Sequence, residues 1–269
     1  MTTDKLKVAL VEFSPEWEKP EANMKALDGV IAGLFSGSVP DRPDMVVLPE
    51  FFSAGFTMNP EAAEPEETSA TYAWMEKTAL KYGCAVTGSV PVADCGSRRY
   101  NRLFFTAPAG SWDIICKEHY DKSHLFFGGE QENYVPGKER KVFEYKGWKI
   151  LPGICFDLRF PEWSRNTASG PYDLYLNVAN WPVARNAAAE ILLKARSIEN
   201  ACWSVFCNRT GSDPLLDYSG NSAIIDFRGR SRGERYTAAG VPVVYGVLEK
   251  PPMLRFRKGF PVLDLAPDM

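Results

Sequence analysis

Residues 148–160 read WKILPGICFDLRF, an apolar run that ends on a cysteine and passes at once into a polar, turn-forming stretch. Residues 45–52, MVVLPEFF, repeat the design with a glutamate in the cysteine's place. A short run that is apolar throughout, rather than alternating, suits a strand covered on both faces. A reactive group at its end is carried on rigid backbone into a loop, where α/β sheets form their crevices. Outward from these two, β-rich runs recur at 7–13, 84–90, 102–106, 174–178, 203–208, 222–226 and 243–248. Helical patterns lie between them. In 20–35, Met24, Leu27, Ile31 and Leu34 recur at helical spacing, and Pro20 suits a first helical position. In 186–200, Ala188, Ile191, Leu192, Ala195 and Ile198 form an apolar stripe, Asn186 is placed to cap, and Glu190 and Lys194 can pair. Weaker helices are expected at 69–82 and 161–168, and turns at 211–214 and 229–233. The alternation predicts one α/β domain over residues 1–269, with sheets covered by helices and an aperiodic tail from about residue 251.

Composition narrows the function. A formal charge of −3 argues against a nucleic-acid-binding surface, which needs a basic stripe. No run is apolar enough to span a bilayer, and the opening MTTDKLKVALVEFS lacks a signal peptide's apolar core, so a cytoplasmic protein is expected. Six cysteines could form disulfides, but in a long chain without an export signal reduced thiols are the expectation. No Cys-x-x-Cys pair occurs and the two histidines are His119 and His124, so neither a metal site nor any other cofactor is expected. Any triad built on a histidine base must draw on that one short segment.

Four residues stand out against this background. Cys155 closes ILPGIC, either as a nucleophile at a strand end or as a buried core thiol. Glu50 ends MVVLPE and opens into FFSAGF, where a desolvated acid suits a general base and a salt-bridged acid is the plainer reading. Lys122 lies in HYDKSHLFFGGE among aromatic and apolar residues, placed either to face a developing oxyanion or simply to meet solvent. Glu130 follows FFGG and could hold that lysine as an ion pair. A thiol needs a base, and the carbonyl oxygen needs positive charge or N–H donors as it turns tetrahedral. Cysteine, glutamate and lysine meet both needs without histidine, provided that they converge in space. His119 and His124 flank the lysine as supporting or core groups.

LPEFF, YDKSHLF, GICFDLRFPEW, NVANWP and KARSIEN resemble successive signature segments of the carbon–nitrogen hydrolase (nitrilase) superfamily, in order, from KVALVEF to about Pro261. The resemblance implies a four-layer αββα sandwich, pairing into a homodimer or larger homo-oligomer. It maps the catalytic glutamate, lysine and cysteine onto Glu50, Lys122 and Cys155, and a second glutamate onto Glu130. Within the superfamily, LPEFFSAGFTMN, the NWP…R pattern at 180–185 and NRTGSD at 208–213 resemble the bacterial omega-amidases, which hydrolyse the terminal amide of 2-oxoglutaramate or 2-oxosuccinamate.

On that reading Glu50 takes the thiol proton, Cys155 attacks the amide, and Lys122 with the backbone N–H of Phe156 stabilises the oxyanion. A substrate carboxylate asks for a guanidinium fork, for which Arg185 is the first choice, with Trp181 as a pocket wall. Arg159 is expected to be structural, paired with Glu162. The alternatives are a superfamily member acting on a carbamoyl group, a nitrile or another short amide, and an inactive binding protein of the same fold. Cys84, Cys95, Cys116, Cys202 and Cys207 have no assigned role and read as buried thiols.

Overall fold

The computed structural model describes residues 3–109 and 115–265, with the side chains of residues 115 and 116 outside that set. The strands in chain order are β1 (Lys5–Val11), β2 (Met45–Val47), β3 (Glu64–Pro65), β4 (Ala85–Ala93), β5 (Arg99–Pro108), β6 (Ile115–Asp121), β7 (Phe143–Tyr145) and β8 (Trp148–Ile154). They continue with β9 (Leu174–Ala179), β10 (Trp203–Asn208), β11 (Thr210–Ser212), β12 (Asp217–Ser219), β13 (Ala223–Ile225), β14 (Glu234–Ala238) and β15 (Val241–Glu249). The helices are α1 (Pro20–Phe35), α2 (Ala70–Tyr82), α3 (Glu130–Asn133), α4 (Asn186–Glu199) and α5 (Lys250–Gly259).

Among the described residues the strands form two large sheets and a ribbon. The first runs β14-β15-β1-β2-β4-β5-β6, with β3 added at β4; the second runs β13-β10-β9-β8-β7; β11 and β12 pair apart. The sheets face each other through one apolar layer. Leu6, Val8 and Leu10 of β1, Leu103 and Phe105 of β5, Ile150 and Ile154 of β8, and Leu176 and Val178 of β9 all belong to it. The opposite face of the first sheet carries α1 and α2 through Leu27, Ile31, Met75 and Ala79. The outer face of the second carries α4 through Ala189 and Leu193. Helix, sheet, sheet, helix is the αββα sandwich. It explains the uniformly apolar strands, since both faces of β2 and of β9 are buried.

Strand direction gathers the loops. β1, β2 and β4 are parallel, as are β8, β9 and β10, so the segments after β2, β8, β9 and β10 leave from strand C-terminal ends. β5 is antiparallel to β4 and β6 antiparallel to β5, which restores β6 to the direction of β4 and puts the start of β5 at the same edge. Glu50, Lys122, Cys155 and Asn180 each follow one of these C-terminal ends.

Several local expectations fail for identifiable reasons. α4 turns a different stripe inward: Ala189, Leu193, Arg196 and Ser197 are buried, whereas Ile191 and Ile198 are 68% and 54% exposed. Arg196 is accepted inside because its Nη2 donates to Leu158 O at 2.7 Å and its Nη1 to Glu199 at 2.9 Å. Hydrophobicity alone cannot foresee a buried polar group whose partner lies on another element. Asn186 does not cap; it is the first residue of the helix and donates to Ser219 Oγ. The Glu190–Lys194 pair does form, at 2.7 Å. Residues 161–168 hold turns and not a helix, and the tail from about 251 is instead the helix α5. Pro251 and Pro252 sit in its first turn, where a missing N–H costs nothing, and Met253 is buried. β3, β6, β7, β11, β12 and β14 escaped the sequence reading, most being short, half-polar or at sheet edges.

Candidate active site

Three segments meet at the strand ends. Glu50 is wholly buried, and the next residue, Phe51, has a φ of 45°. Cys155 has the same φ of 45°, opening the short 3-10 turn Cys155–Arg159 directly after β8. A non-glycine residue held in the left-handed region costs about 1–3 kcal/mol and persists where the surroundings dictate it. The backbone therefore turns abruptly at both strand ends, beside Glu50 and at Cys155. Asp157 holds the second turn: its carboxylate accepts from Ile154 N (2.9 Å), the Tyr120 hydroxyl (2.8 Å), and His124 through both backbone N (3.0 Å) and Nδ1 (2.8 Å). Tyr120 and His124 lie two residues either side of Lys122, so one buried acid ties the cysteine turn to the lysine loop. His124 is thus a supporting group, its ring stacked on Phe160 at 3.8 Å. His119 is half-buried on β6.

Lys122 Nζ donates to Glu50 Oε1 at 2.8 Å and to Glu130 Oε1 and Oε2 at 3.0 and 2.8 Å, with no side chain of the three exposed. Glu130 begins α3 and also accepts from Phe126 N at 2.7 Å. Asn180 fixes Glu50 from the second sheet, its backbone N donating to Oε2 and its side chain to the backbone carbonyl, both at 2.8 Å. Burial opposes the Lys122 ammonium, but Glu130, Glu50 and Cys155 more than offset it, and its pKa rises above the ordinary value. Burial likewise raises the Glu130 carboxyl, against the pull of Lys122 and with the push of Glu50. The Cys155 thiol is raised well above a free cysteine, first by burial, then by the negative charge of Glu50, with Lys122 working the other way. Cysteine, lysine and both glutamates therefore act on one another at a single point.

Cys155 opens into a narrow cavity of about 40 Å³ lined by Phe56, Phe126, Trp181, Arg159, Arg185 and Tyr218, among others. Larger grooves lie elsewhere on the surface, away from these strand ends. Trp181 is buried, its backbone N held by Asn208 Oδ1 at 2.7 Å and its indole by Arg185 O at 2.8 Å. The Arg185 guanidinium lies 4.9 Å from the Phe126 ring centre, and that of Arg159 lies 5.2 Å from Trp181. Among the described residues neither arginine has an ion-pair partner. The expected Arg159–Glu162 pair does not form, because the 3-10 turn points Arg159 over Trp181 and into the cavity. Phe156 N–H lies in the leading turn of that 3-10 segment, where N–H groups have no partner within the helix.

A family model described as carbon-nitrogen hydrolase matches residues 7–235. The chain belongs to the carbon–nitrogen hydrolase family. Among relatives of this hydrolase, an omega-amidase of Yersinia enterocolitica is 39% identical over 85% of this chain and 84% of its own. A 2-oxoglutaramate amidase of Bacillus subtilis is 34% identical over 96% of both. The crystal structure of a CN-hydrolase superfamily protein from Xanthomonas campestris, carrying an arsenic adduct in its active site, superposes with a TM-score of 0.88. It is 36% identical and covers 99% of each chain.

Reading the sequence of this hydrolase missed Asn101, Asp157 and Tyr218. Asn101 sits in YNRLFF, an ordinary strand pattern, and nothing local marks it. Asp157 was in view two residues after Cys155, but its four donors come from three places in the chain. Of the other cysteines, Cys84, Cys202 and Cys207 are buried free thiols, whereas Cys95 is exposed, correcting the expectation for it; the side chain of Cys116 lies outside the described residues.

Proposed function

We propose that this hydrolase is an omega-amidase that cleaves the terminal amide of a short 2-oxo dicarboxylic acid monoamide, 2-oxoglutaramate or 2-oxosuccinamate, to the dicarboxylate and ammonia. The observation that carries this reading is the pair Arg159 and Arg185, two guanidinium groups without acid partners in the cavity of Cys155. A cation left unpaired beside a reactive thiol favours an anionic substrate, and a planar fork matches a carboxylate. The narrow space favours a short linear chain over a bulky one. The omega-amidase and 2-oxoglutaramate amidase names of the relatives agree with it.

In this mechanism the resting thiol is protonated. Glu50 accepts its proton as sulfur bonds to the amide carbon, and negative charge moves to the carbonyl oxygen. Lys122 and the Phe156 N–H stabilise that oxygen, a contribution of about 3–4 kcal/mol for a well-placed donor. The carbon–nitrogen bond then breaks, Glu50 returns the proton to nitrogen, and ammonia leaves a thioester. Water, its proton taken by Glu50, attacks the thioester; the acid departs and the thiol is restored. Glu130 holds Lys122 in place. Arg185 takes the substrate carboxylate and Trp181 walls its chain.

The same proposal holds that one domain over residues 1–269 carries the activity, in the cytoplasm and without a cofactor, as a homodimer or larger homo-oligomer. No helix of the described residues is long and apolar enough to cross a membrane. The exposed Ile191 and Ile198 on α4 offer a second copy an apolar face. Light scattering on the purified chain tests the assembly. Steady-state ammonia release from 2-oxoglutaramate, glutamine, simple aliphatic amides, carbamoyl amines and nitriles tests the substrate. Preference for the oxo acid amide supports the reading, and preference for any of the others replaces it.

A further inference from the structure

Asn101 is wholly buried near the start of β5, and its amide nitrogen lies 2.8 Å from Glu50 Oε1 and 2.8 Å from Glu130 Oε1. The same two oxygens accept from Lys122 Nζ, at 2.8 and 3.0 Å. The four groups close a ring in which ammonium and amide alternate with the two carboxylates. An ammonium has three hydrogens; Lys122 gives one to Glu50 and straddles both oxygens of Glu130 with another, and on the proposed mechanism the third serves the substrate oxygen. A second donor to each Oε1 must come from elsewhere, and a primary amide is a neutral side chain that supplies two from one nitrogen. The backbone of Asn101 joins in, since Lys122 N donates to its carbonyl at 2.9 Å.

The orientation of the amide is fixed by its surroundings. Turned over, Oδ1 would face two carboxylate oxygens. As placed, Oδ1 is buried with no hydrogen-bond partner. An unmet buried acceptor costs about 1–3 kcal/mol, so the fold accepts a penalty to aim the nitrogen at the acids.

Building on the amidase reading, we propose that Asn101 is a positioning residue for the reaction: it donates one hydrogen to Glu50 and one to Glu130, keeps the like-charged carboxylates apart around Lys122, and holds Glu50 ready to accept the thiol proton. A hydrogen bond to the ionised form of an acid favours that form. The groups facing the two carboxylates are Lys122 after β6, Cys155 after β8, Tyr134 at the end of α3 and, beyond Tyr134, Arg99 on β5. Asn101 is the neutral donor shared between them. Losing it takes one donor from each ionised carboxylate, and the Glu130 carboxyl, already raised by burial, moves further up.

The test compares wild type with Asn101→Leu, which keeps the shape and removes both donors, and Asn101→Ser, which keeps one donor. Circular dichroism establishes that each is folded. Infrared difference spectra against pH follow the protonated-carboxyl band, assigned by its loss in Glu50→Gln and Glu130→Gln. The expected result is a band that persists to about one pH unit higher in Asn101→Leu, with Asn101→Ser between. The acid limb of kcat/KM for 2-oxoglutaramate moves with it, and kcat falls about tenfold near neutrality with KM little changed. A band and an acid limb that stay in place in both folded variants overturn the proposal. A band that moves in a protein that hydrolyses none of the amides upholds the role of Asn101 toward the acids and rejects the amidase reading instead.

Discussion

The Lys122 ammonium and the Glu50 carboxylate lie 2.8 Å apart with both side chains fully shielded from solvent. Glu130 shares the same cation at 2.8 Å, so one buried positive charge serves two buried negative ones. Removing one member of a buried charge pair typically costs about 3–5 kcal/mol, because the partner is left uncompensated. Lys122→Met strands two acids, whereas Glu130→Gln leaves a matched pair. Urea denaturation is expected to show the larger drop in midpoint for Lys122→Met, with the slope unchanged. Equal midpoints for wild type and Lys122→Met would contradict the buried geometry.

Glu50→Gln separates the charge of Glu50 from its work on protons. The Cys155 thiol is raised by burial and by the negative charge of Glu50. Deleting that charge lowers the thiol pKa, so the thiolate forms at lower pH in the variant than in wild type. On the proposed mechanism turnover nevertheless falls, by about a hundredfold to ten-thousandfold, because Glu50 is the base removed. The rate of Cys155 alkylation by iodoacetamide against pH, alongside amide hydrolysis, reads both effects. A slower turnover accompanied by a thiol that titrates higher would reverse the sign of the argument.

Part of this site is legible in the sequence because Cys155 and Glu50 each close an apolar run, whereas Lys122 and Glu130 lie in polar or glycine-rich stretches and are picked out by the family resemblance. Cys155 after WKILPGI and Glu50 after MVVLP carry their position in their own neighbourhood. The helix at 20–35 and the strand at 203–208 were likewise bounded by local pattern. Asn101 was not legible, since it looks like any polar residue in a strand until β6 and α3 bring Lys122 and Glu130 beside it. The inward face of α4 was misread for a related reason: the partner that makes Arg196 tolerable inside is a carbonyl of the cysteine turn. Local spacing pairs Arg159 with Glu162, three positions on, whereas its surroundings are an aromatic ring from just after β9. Pattern reports what a segment buries; it does not report which distant group meets a buried polar atom.

Specificity should fall to the arginines. Arg185→Met is expected to lower kcat/KM for 2-oxoglutaramate about tenfold to a hundredfold, the value of one charge-assisted hydrogen bond, mainly through KM. Hydrolysis of a neutral amide of similar length should change little. Arg159→Met tests the second guanidinium on the same two substrates. If both variants lose the charged and the neutral substrate equally, the arginines support the cavity and do not read the carboxylate.

The loop beside Lys122 leaves no room for a side chain at Gly137. Its N–H donates to Lys122 O at 2.9 Å, and a Cβ built there would stand 2.1 Å from the backbone oxygen of Asp121 and 2.8 Å from its carbonyl carbon. Backbone atoms yield less readily than the tip of a flexible side chain. Asp121 is held further, by pairing with Arg102 across β5 and β6 and by the Arg102 guanidinium on its carboxylate, at 2.6 and 3.0 Å. The clash at Gly137→Ala must therefore be relieved by moving the loop or the residue after Asp121, which is Lys122. Overpacking of this kind costs about 1–3 kcal/mol. The displaced ammonium should lower kcat more than it raises KM. Gly29 in α1 supplies the control, because a Cβ there meets nothing within 4 Å. Gly29→Ala should hold or gain up to about 1 kcal/mol from helix propensity, with turnover intact. Urea midpoints and steady-state rates on the two variants decide the matter: if Gly137→Ala behaves like Gly29→Ala in both, the close packing behind Lys122 has no bearing on its position.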